Sequence, residues 1–274
     1  MTETSWARLK AHELRNLAAQ NAVVILPVAS IEQHGPHLPV MTDSRIGEEI
    51  ARRAAEAAYP NRPTIWAPVI WSGLSEHHMA YGGTLTLSHA TFRAMIEDLI
   101  HAIIRAGFHD ILISNSHGGN VIALQSILDE LTSEVDATLV LTTYVAEAGT
   151  RYGEILEDQD TVMHAGEAET SMMMVCAADT VDSSDLASHN VGGTSGPGFL
   201  KAGEASYRWR PLPHITPNGV IGKPEKATAE KGEALLQVGA DAVARLICDP
   251  TTWEAPKDLR QDETGGVALK DWRA

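Results

Sequence analysis

The chain has 274 residues, enough to bury a large core, and a formal net charge of −15 from 21 basic and 36 acidic residues. This charge, with no block of lysine and arginine, disfavours nucleic acid and anionic membrane surfaces as partners. Two distant cysteines exclude a disulfide framework, and no apolar run approaches the roughly 20 residues that cross a bilayer. We therefore expect a soluble, cytoplasmic protein with a single domain over residues 1–274.

Apolar runs typical of strands alternate with helical patterns along the chain. Residues 22–28 predict a strand buried on both faces, and residues 44–58 repeat apolar side chains every three or four positions, as a helix does. A second buried strand is predicted over 64–70. Ser88 can cap a helix that ends before Gly107, which suits the left-handed position after a helix. The following patterns predict a strand over 111–115, a tight loop over 117–120, a helix over 121–131 and a strand over 137–145.

This repeated order of strand, loop and helix predicts an α/β fold with a mostly parallel sheet covered by helices on both faces. Ligands of such sheets bind at the carboxyl ends of the strands. Two histidine-bearing loops, after Val28 and after Asn115, fall at these ends. We therefore expect the functional site at this edge of the sheet.

The loop after the first strand concentrates side chains that bind metals. Glu32, His34 and Asp43 offer two carboxylates and an imidazole, and the turn at Gly35-Pro36 can bring them together. Such a set without cysteine suits Zn²⁺, Mn²⁺ or Fe²⁺. The alternative is that Glu32 and His34 are polar loop residues with no ligand.

His117 lies in the second loop, within Ser116-His117-Gly118-Gly119-Asn120. Paired glycines let a ligand or a neighbouring backbone come close, although a tight turn between strand and helix would also explain them. Together with the three candidates in the first loop, His117 is expected to be a fourth metal ligand.

A third group of polar residues stands where a helix is predicted to open just after His164. At about 100° per residue, Glu169 shares a face with Met172 and Met173, whereas Glu167 points about 160° away. A buried carboxylate is costly without a cation or several donors. We therefore expect Glu169 to bind a metal and Glu167 to be solvated; a salt bridge or a helix-terminus role is the alternative for Glu169.

Residues 188–222 form a long irregular segment with seven glycines and four prolines. Its length predicts a loop that covers the substrate or contacts another subunit, and plain disorder is the alternative.

Together, three motifs resemble the creatininase (creatinine amidohydrolase) family: residues 27–39 with Asp43, His117-Gly118-Gly119-Asn120, and residues 164–171. Residues 219–224 also resemble the glycine-rich segment before the last helix of that family. The resemblance implies a cytoplasmic metal-dependent hydrolase with a three-layer α/β/α sandwich fold, usually a homohexamer. It also implies two divalent ions per subunit, bridged by an aspartate and a water or hydroxide.

The family's functional residues carry over by position. Asp43 would bridge the ions, Glu32 and His117 would hold one ion, and His34 would hold the other. His164 matches a histidine thought to protonate the leaving group, although a supporting role beside the ligands is the alternative.

The family loop that reaches the active site resembles residues 72–78, so Ser75, Glu76 and His78 are candidates for substrate binding. Packing or hydrogen bonding around a turn is the alternative for each of them.

The chain departs from true creatininases at two places. Those enzymes have tyrosine and a metal-binding glutamate directly after the second histidine of the site, where this chain has Gly118 and Gly119. We expect Glu169 to replace the missing carboxylate. Asp160-Thr161 stands where creatininases carry the Trp-Asp pair that closes over creatinine, so a different substrate is expected.

The sequence thus predicts an amidohydrolase that uses a metal-activated water to cleave a carbon–nitrogen bond of a small cyclic amide or formamide. Zn²⁺ is the first choice of metal, with Mn²⁺ or Fe²⁺ as alternatives. Two other functions stay open: hydrolytic ring opening of a cyclic 1,3-diketone, as in 3-dehydro-scyllo-inosose hydrolase, and a non-catalytic metal-binding scaffold. The predicted site comprises His164 as acid and base and, as metal ligands, Glu32, His34, Asp43, His117 and Glu169.

Overall fold

The structure is a computed structural model, and it describes residues 2–192 and 208–260. The four strands are β1 (Val23–Val28), β2 (Thr64–Trp66), β3 (Asp110–Asn115) and β4 (Thr138–Thr143). The helices are α1 (Ala11–Ala18), α2 (Thr42–Ala58), α3 (His89–Arg105), α4 (Val121–Leu131), α5 (Tyr144–Ala148), α6 (Glu167–Cys176) and α7 (Ala229–Cys248). None of the helices in these two ranges is long and apolar enough to span a membrane.

The strands form one parallel sheet in the order β2-β1-β3-β4. Strands β1 and β3 pair over their full length, from Val23 opposite Asp110 to Val28 opposite Asn115. Every residue of both strands is buried, as expected for central strands covered on both faces. Their carboxyl ends therefore open side by side at one edge of the sheet.

Helices cover the two faces of the sheet as separate layers. Val23, Ile25 and Leu112 pack on one face against α2, α5, α6 and α7. On the other face, Val24 and Ile111 pack against α1, α3 and α4. Alternate residues of a strand point to opposite faces, so each central strand contributes to both cores. The predicted three-layer α/β/α sandwich is confirmed.

Local signals placed most elements correctly. The Ser88 hydroxyl caps α3 by accepting a hydrogen bond from Thr91 N at 3.2 Å, and Gly107 has a φ of +95° just past its end. The strand predicted over 64–70 is shorter, because β2 ends at Trp66. Pro68 has no N–H for a strand ladder, and pairing returns only as a single bridge between Ile70 and Val28.

The prediction that Glu167 is solvated is wrong. Its side chain is fully buried, and its carboxylate accepts hydrogen bonds from the backbone N–H groups of Glu157 and Asp158, each at 3.0 Å. Lys231 of α7 donates a further hydrogen bond at 2.7 Å. Residues distant in sequence thus cover the face of α6 that the helical pattern assigned to solvent.

The long irregular segment predicted over 188–222 is described only in part. Residues 193–207 lie outside the described residues, so its role as a substrate-covering or subunit-contacting loop stays a prediction.

Candidate metal centre

The five predicted metal ligands meet at the carboxyl ends of β1 and β3. Glu32 and His34 lie in the loop after β1, and His117 lies two residues after β3. Asp43 and Glu169 stand in the first turns of α2 and α6. All five are at most 7% exposed. Glu169 therefore faces the interior, as its position on the helix predicted.

Asp43 connects two groups of ligand atoms. Its Oδ1 lies 3.3 Å from His34 Nε2, and its Oδ2 lies 3.1 Å from His117 Nδ1. Glu169 Oε2 is 3.5 Å from the same His34 nitrogen, and Glu32 Oε2 is 3.1 Å from the same His117 nitrogen. Each histidine nitrogen thus faces two carboxylates, one of which is the shared Asp43.

Backbone carbonyls fix the orientation of both histidines. His34 Nδ1 lies 3.1 Å from the carbonyl oxygen of Glu32, and His117 Nε2 lies 3.1 Å from that of Leu74. A carbonyl only accepts hydrogen bonds, so these nitrogens carry the proton in a neutral ring. His34 Nε2 and His117 Nδ1 then direct their lone pairs at the carboxylates, which is how histidines are held when they bind a metal.

The donor set fits a divalent cation. His34 Nε2 and Asp43 Oδ2 are buried and have no hydrogen-bond partner within residues 2–192 and 208–260. A nitrogen lone pair and a carboxylate oxygen repel each other at this separation unless a proton or a metal ion lies between them. Imidazole and carboxylate ligands suit Zn²⁺, Mn²⁺ and Fe²⁺.

The electrostatic interactions among the five predicted ligands also favour a positive charge at this site. Burial by itself would raise the pKa of Glu32 and Asp43, but the facing histidines outweigh it and hold both pKa values well below the usual range. For Glu169 burial prevails, and its pKa is raised. Although burial disfavours the charged imidazole, Glu169 and Asp43 raise the pKa of His34, and Glu32 does the same for His117.

His164, the predicted acid and base, lies beside the metal ligands. Its Nδ1 is 3.6 Å from Glu32 Oε1, and its Nε2 is 2.8 Å from the backbone carbonyl oxygen of Gln33. Burial and the neighbouring His34 lower the pKa of His164 to about 3, so the ring is neutral at physiological pH. Nε2 also lies 3.0 Å from the Gln33 side-chain nitrogen, but the carbonyl oxygen is closer and can only accept, which favours the proton on Nε2 and a lone pair on Nδ1.

The three predicted substrate-binding residues lie in different surroundings. Ser75 is fully buried, and its hydroxyl donates to Glu32 Oε2 at 2.7 Å. His78 is also buried, with Nε2 3.3 Å from Glu32 Oε1. Glu76 is exposed and lines a cavity of about 770 Å³ together with Trp209. Ser75 and His78 therefore hold a predicted ligand, and their substrate-binding roles stay predictions.

Sequence reasoning missed two residues of the site. The Gln33 side-chain nitrogen lies 2.8 Å from His78 Nδ1, and its oxygen accepts a hydrogen bond from Gly35 N. His77 stacks on His117 with ring centroids 5.7 Å apart, and it forms a second ligand-capable group with Glu32 and His117. The adjacent pair His77-His78 was the one signal in the sequence that could have revealed His77.

Known proteins with similar sequences include a peptidase and an amidohydrolase. A mycofactocin precursor peptide peptidase from Mycobacterium ulcerans is 29% identical over 233 residues, covering 81% of this chain and 84% of that protein. A creatinine amidohydrolase from Pseudomonas putida is 27% identical over 263 residues, covering 89% of this chain and 94% of that protein.

Solved structures share the fold. A creatininase described as a manganese form matches with a TM-score of 0.70, and one described as Zn–Zn type matches with a TM-score of 0.69. Each is 23% identical and covers 90% of this chain and 98% of the other. The family model described as creatininase, creatinine amidohydrolase, matches residues 7–247. The chain therefore belongs to the creatininase family of hydrolases.

Proposed function

We propose that this protein is a dinuclear metal hydrolase that cleaves a carbon–nitrogen bond of a small cyclic amide or a formamide. The observation that carries the proposal is the position of Asp43, whose two carboxylate oxygens face different histidines at 3.3 and 3.1 Å. A carboxylate in this position can bridge two ions. The names of these two relatives, a peptide peptidase and a creatinine amidohydrolase, support an amide as the substrate. A third relative, a 3-dehydro-scyllo-inosose hydrolase from Thermotoga maritima that is 23% identical over 252 residues, keeps ring opening of a cyclic diketone as the second candidate.

The metal ligands divide into two sets around this bridge. Glu32 and His117 would hold one ion with Asp43, and His34 and Glu169 would hold the other. When bound, divalent ions polarise a carbonyl group and make a water molecule nucleophilic at neutral pH. Zn²⁺ is our first choice and Mn²⁺ or Fe²⁺ the alternatives, because all three accept nitrogen and oxygen ligands.

Proton transfer falls to His164. Its Nδ1 is 3.6 Å from Glu32 Oε1, at the boundary of the ligand group, and its other nitrogen is anchored to the Gln33 carbonyl. A neutral imidazole held in this way can accept a proton at Nδ1 and then deliver it to the departing nitrogen. Ser75 and His78 contact the two carboxylate oxygens of Glu32, and we keep Ser75, Glu76 and His78 as candidates for substrate binding.

The test is a substrate panel run on protein purified without chelators, with its metals quantified. The panel contains cyclic ureides, lactams, formamides, short peptides and cyclic 1,3-diketones. Amide cleavage releases an amine or formate, whereas diketone ring opening yields a single acyclic keto acid. We expect amide products together with two ions per subunit. Cleavage of the diketones alone would show that the reaction is ring opening and not amide hydrolysis. Bound metal without turnover of any substrate would support the scaffold alternative.

Three further properties stay predictions. The resemblance implies a cytoplasmic homohexamer, and we propose one domain over residues 1–274. Size-exclusion chromatography with light scattering measures the oligomeric state directly.

A further inference from the structure

We propose that Gly119 is a positioning residue for the metal centre, because the lack of a side chain there makes room for the Leu74 carbonyl that orients His117. This inference rests on the proposed function, in which His117 is a metal ligand. Gly119 itself would touch neither metal nor substrate.

The space around Gly119 is filled by the two atoms of one hydrogen bond and by the His77 ring, whose Cε1 would lie 3.0 Å from an added Cβ atom. A Cβ atom added at residue 119 would lie 2.3 Å from Leu74 O and 2.4 Å from His117 Nε2. These two atoms are 3.1 Å apart. A side chain would therefore wedge between them. Backbone conformation does not require glycine here, since Gly119 lies outside the positive-φ region.

Leu74 cannot retreat from such a side chain. Its backbone N–H donates to Asn120 Oδ1 at 2.9 Å, and Asn120 Nδ2 donates in turn to the Ala29 carbonyl of the β1 end at 3.0 Å. The neighbouring backbone is fixed as well, since Ser75 N donates to Thr86 Oγ1 at 2.9 Å. A side chain at residue 119 must therefore displace the His117 ring, together with the His77 ring stacked on it.

Displacement of His117 has a consequence confined to one ion. His117 Nδ1 lies 3.1 Å from both Glu32 Oε2 and Asp43 Oδ2, so tilting the ring moves this nitrogen away from two carboxylates at once. His34 and Glu169 are held by other contacts, to the Glu32 carbonyl and to Ala165 N. The affinity for the ion held by Glu32 and His117 should fall, while the other ion stays bound.

The experiment compares Gly119→Ala with Gly107→Ala. Gly107 has a φ of +95° and its added Cβ would meet Ala18, so alanine there strains the fold far from the metal centre. Zn²⁺ affinity is measured by chelator competition, and unfolding is followed for both variants. Outer-sphere changes typically cost about 10- to 100-fold in metal affinity. We expect a loss of that size for one ion in Gly119→Ala and none in Gly107→Ala.

Separate outcomes test the proposed function and the role of Gly119. A wild-type protein that binds no divalent ion would refute the proposed function. A wild type with two ions and a Gly119→Ala variant that retains both with unchanged affinity would refute the role of Gly119. If Gly119→Ala does not fold, ¹⁵N NMR of the zinc-loaded wild type decides. Zn²⁺ on Nδ1 and a proton on Nε2 of His117 support the role, and the reverse overturns it.

Discussion

Two buried carboxylates of α6 should respond to the same substitution in opposite ways. Glu169 lies beside His34, whereas Glu167, two positions earlier, binds Lys231 and two backbone N–H groups. Glu169→Gln should weaken the binding of one metal ion and leave the fold of the chelated protein intact. Glu167→Gln should destabilise the fold and leave both ions bound.

The magnitudes follow from the contacts. Burial raises the pKa of Glu169, so a neutral amide relieves a cost in the chelated protein, and its oxygen can still accept from Ala165 N. Loss of a ligand should exceed the about 10- to 100-fold cost of an outer-sphere change. At free metal of about 100 Kd, a bound ion stabilises by about 2.7 kcal/mol, and Glu169→Gln should lose most of this. Glu167→Gln replaces one acceptor oxygen with a donor, which costs about 2 to 3 kcal/mol.

The assay combines metal analysis with urea unfolding, with and without chelator. Glu169→Gln should show one ion per subunit and, in chelator, a stability no lower than that of the wild type. Glu167→Gln should show two ions and a lower unfolding midpoint in both conditions. Two tightly held ions in Glu169→Gln would refute its role as a ligand. An equal loss of stability in both variants would show that the two carboxylates are merely structural.

Three further predictions concern catalysis, pH and metal removal. His164→Ala should keep both ions and lose turnover, about 100-fold or more, whereas His37→Ala, which alters a buried histidine bonded to Thr170, should retain turnover. Although burial opposes it, hydrogen bonds from Arg52 and Arg53 lower the pKa of Glu49 from 4.5 to about 2. Above pH 4.5, Glu49→Gln should therefore be less stable than the wild type by about 1 kcal/mol after solvent screening. This difference should disappear as the pH falls toward 2. Chelation should abolish turnover, and added Zn²⁺ or Mn²⁺ should restore it.

Each of these predictions has a contradicting result. Unchanged turnover in His164→Ala would remove that histidine from the mechanism. A pH-independent difference between wild type and Glu49→Gln would show that the carboxylate charge contributes nothing. Full activity in chelator, with metal analysis confirming removal, would exclude metal-dependent hydrolysis.

Most of the fold could be predicted because its signals are local. The apolar period of α3, its Ser88 cap and Gly107 lie within one segment, and the structure confirms all three. The strand predicted over 64–70 is longer than β2 because the apolar run continues through Pro68. Its missing N–H outweighs the hydrophobicity of its neighbours.

The site was harder where contacts come from distant parts of the chain. The angle of Glu167 on α6 predicts a solvated side chain, but Lys231 and residues 157–158 cover it. The substrate-binding role of Ser75 stays a prediction, and the local sequence does not reveal that its hydroxyl donates to Glu32, 43 positions earlier. Helical periodicity cannot show which residues approach from another element. The five predicted metal ligands still meet, because parallel strands bring their following loops to one edge.

Because of the carboxylates that face His34 and His117, metal uptake should exchange protons on these two rings for metal ions. The carboxylates raise the pKa of both rings, so in protein stripped by a chelator these imidazoles hold protons that compete with an incoming cation. Each ion that enters must release protons to the solvent. Metal affinity should therefore rise with pH, and acidification of the medium should release bound metal.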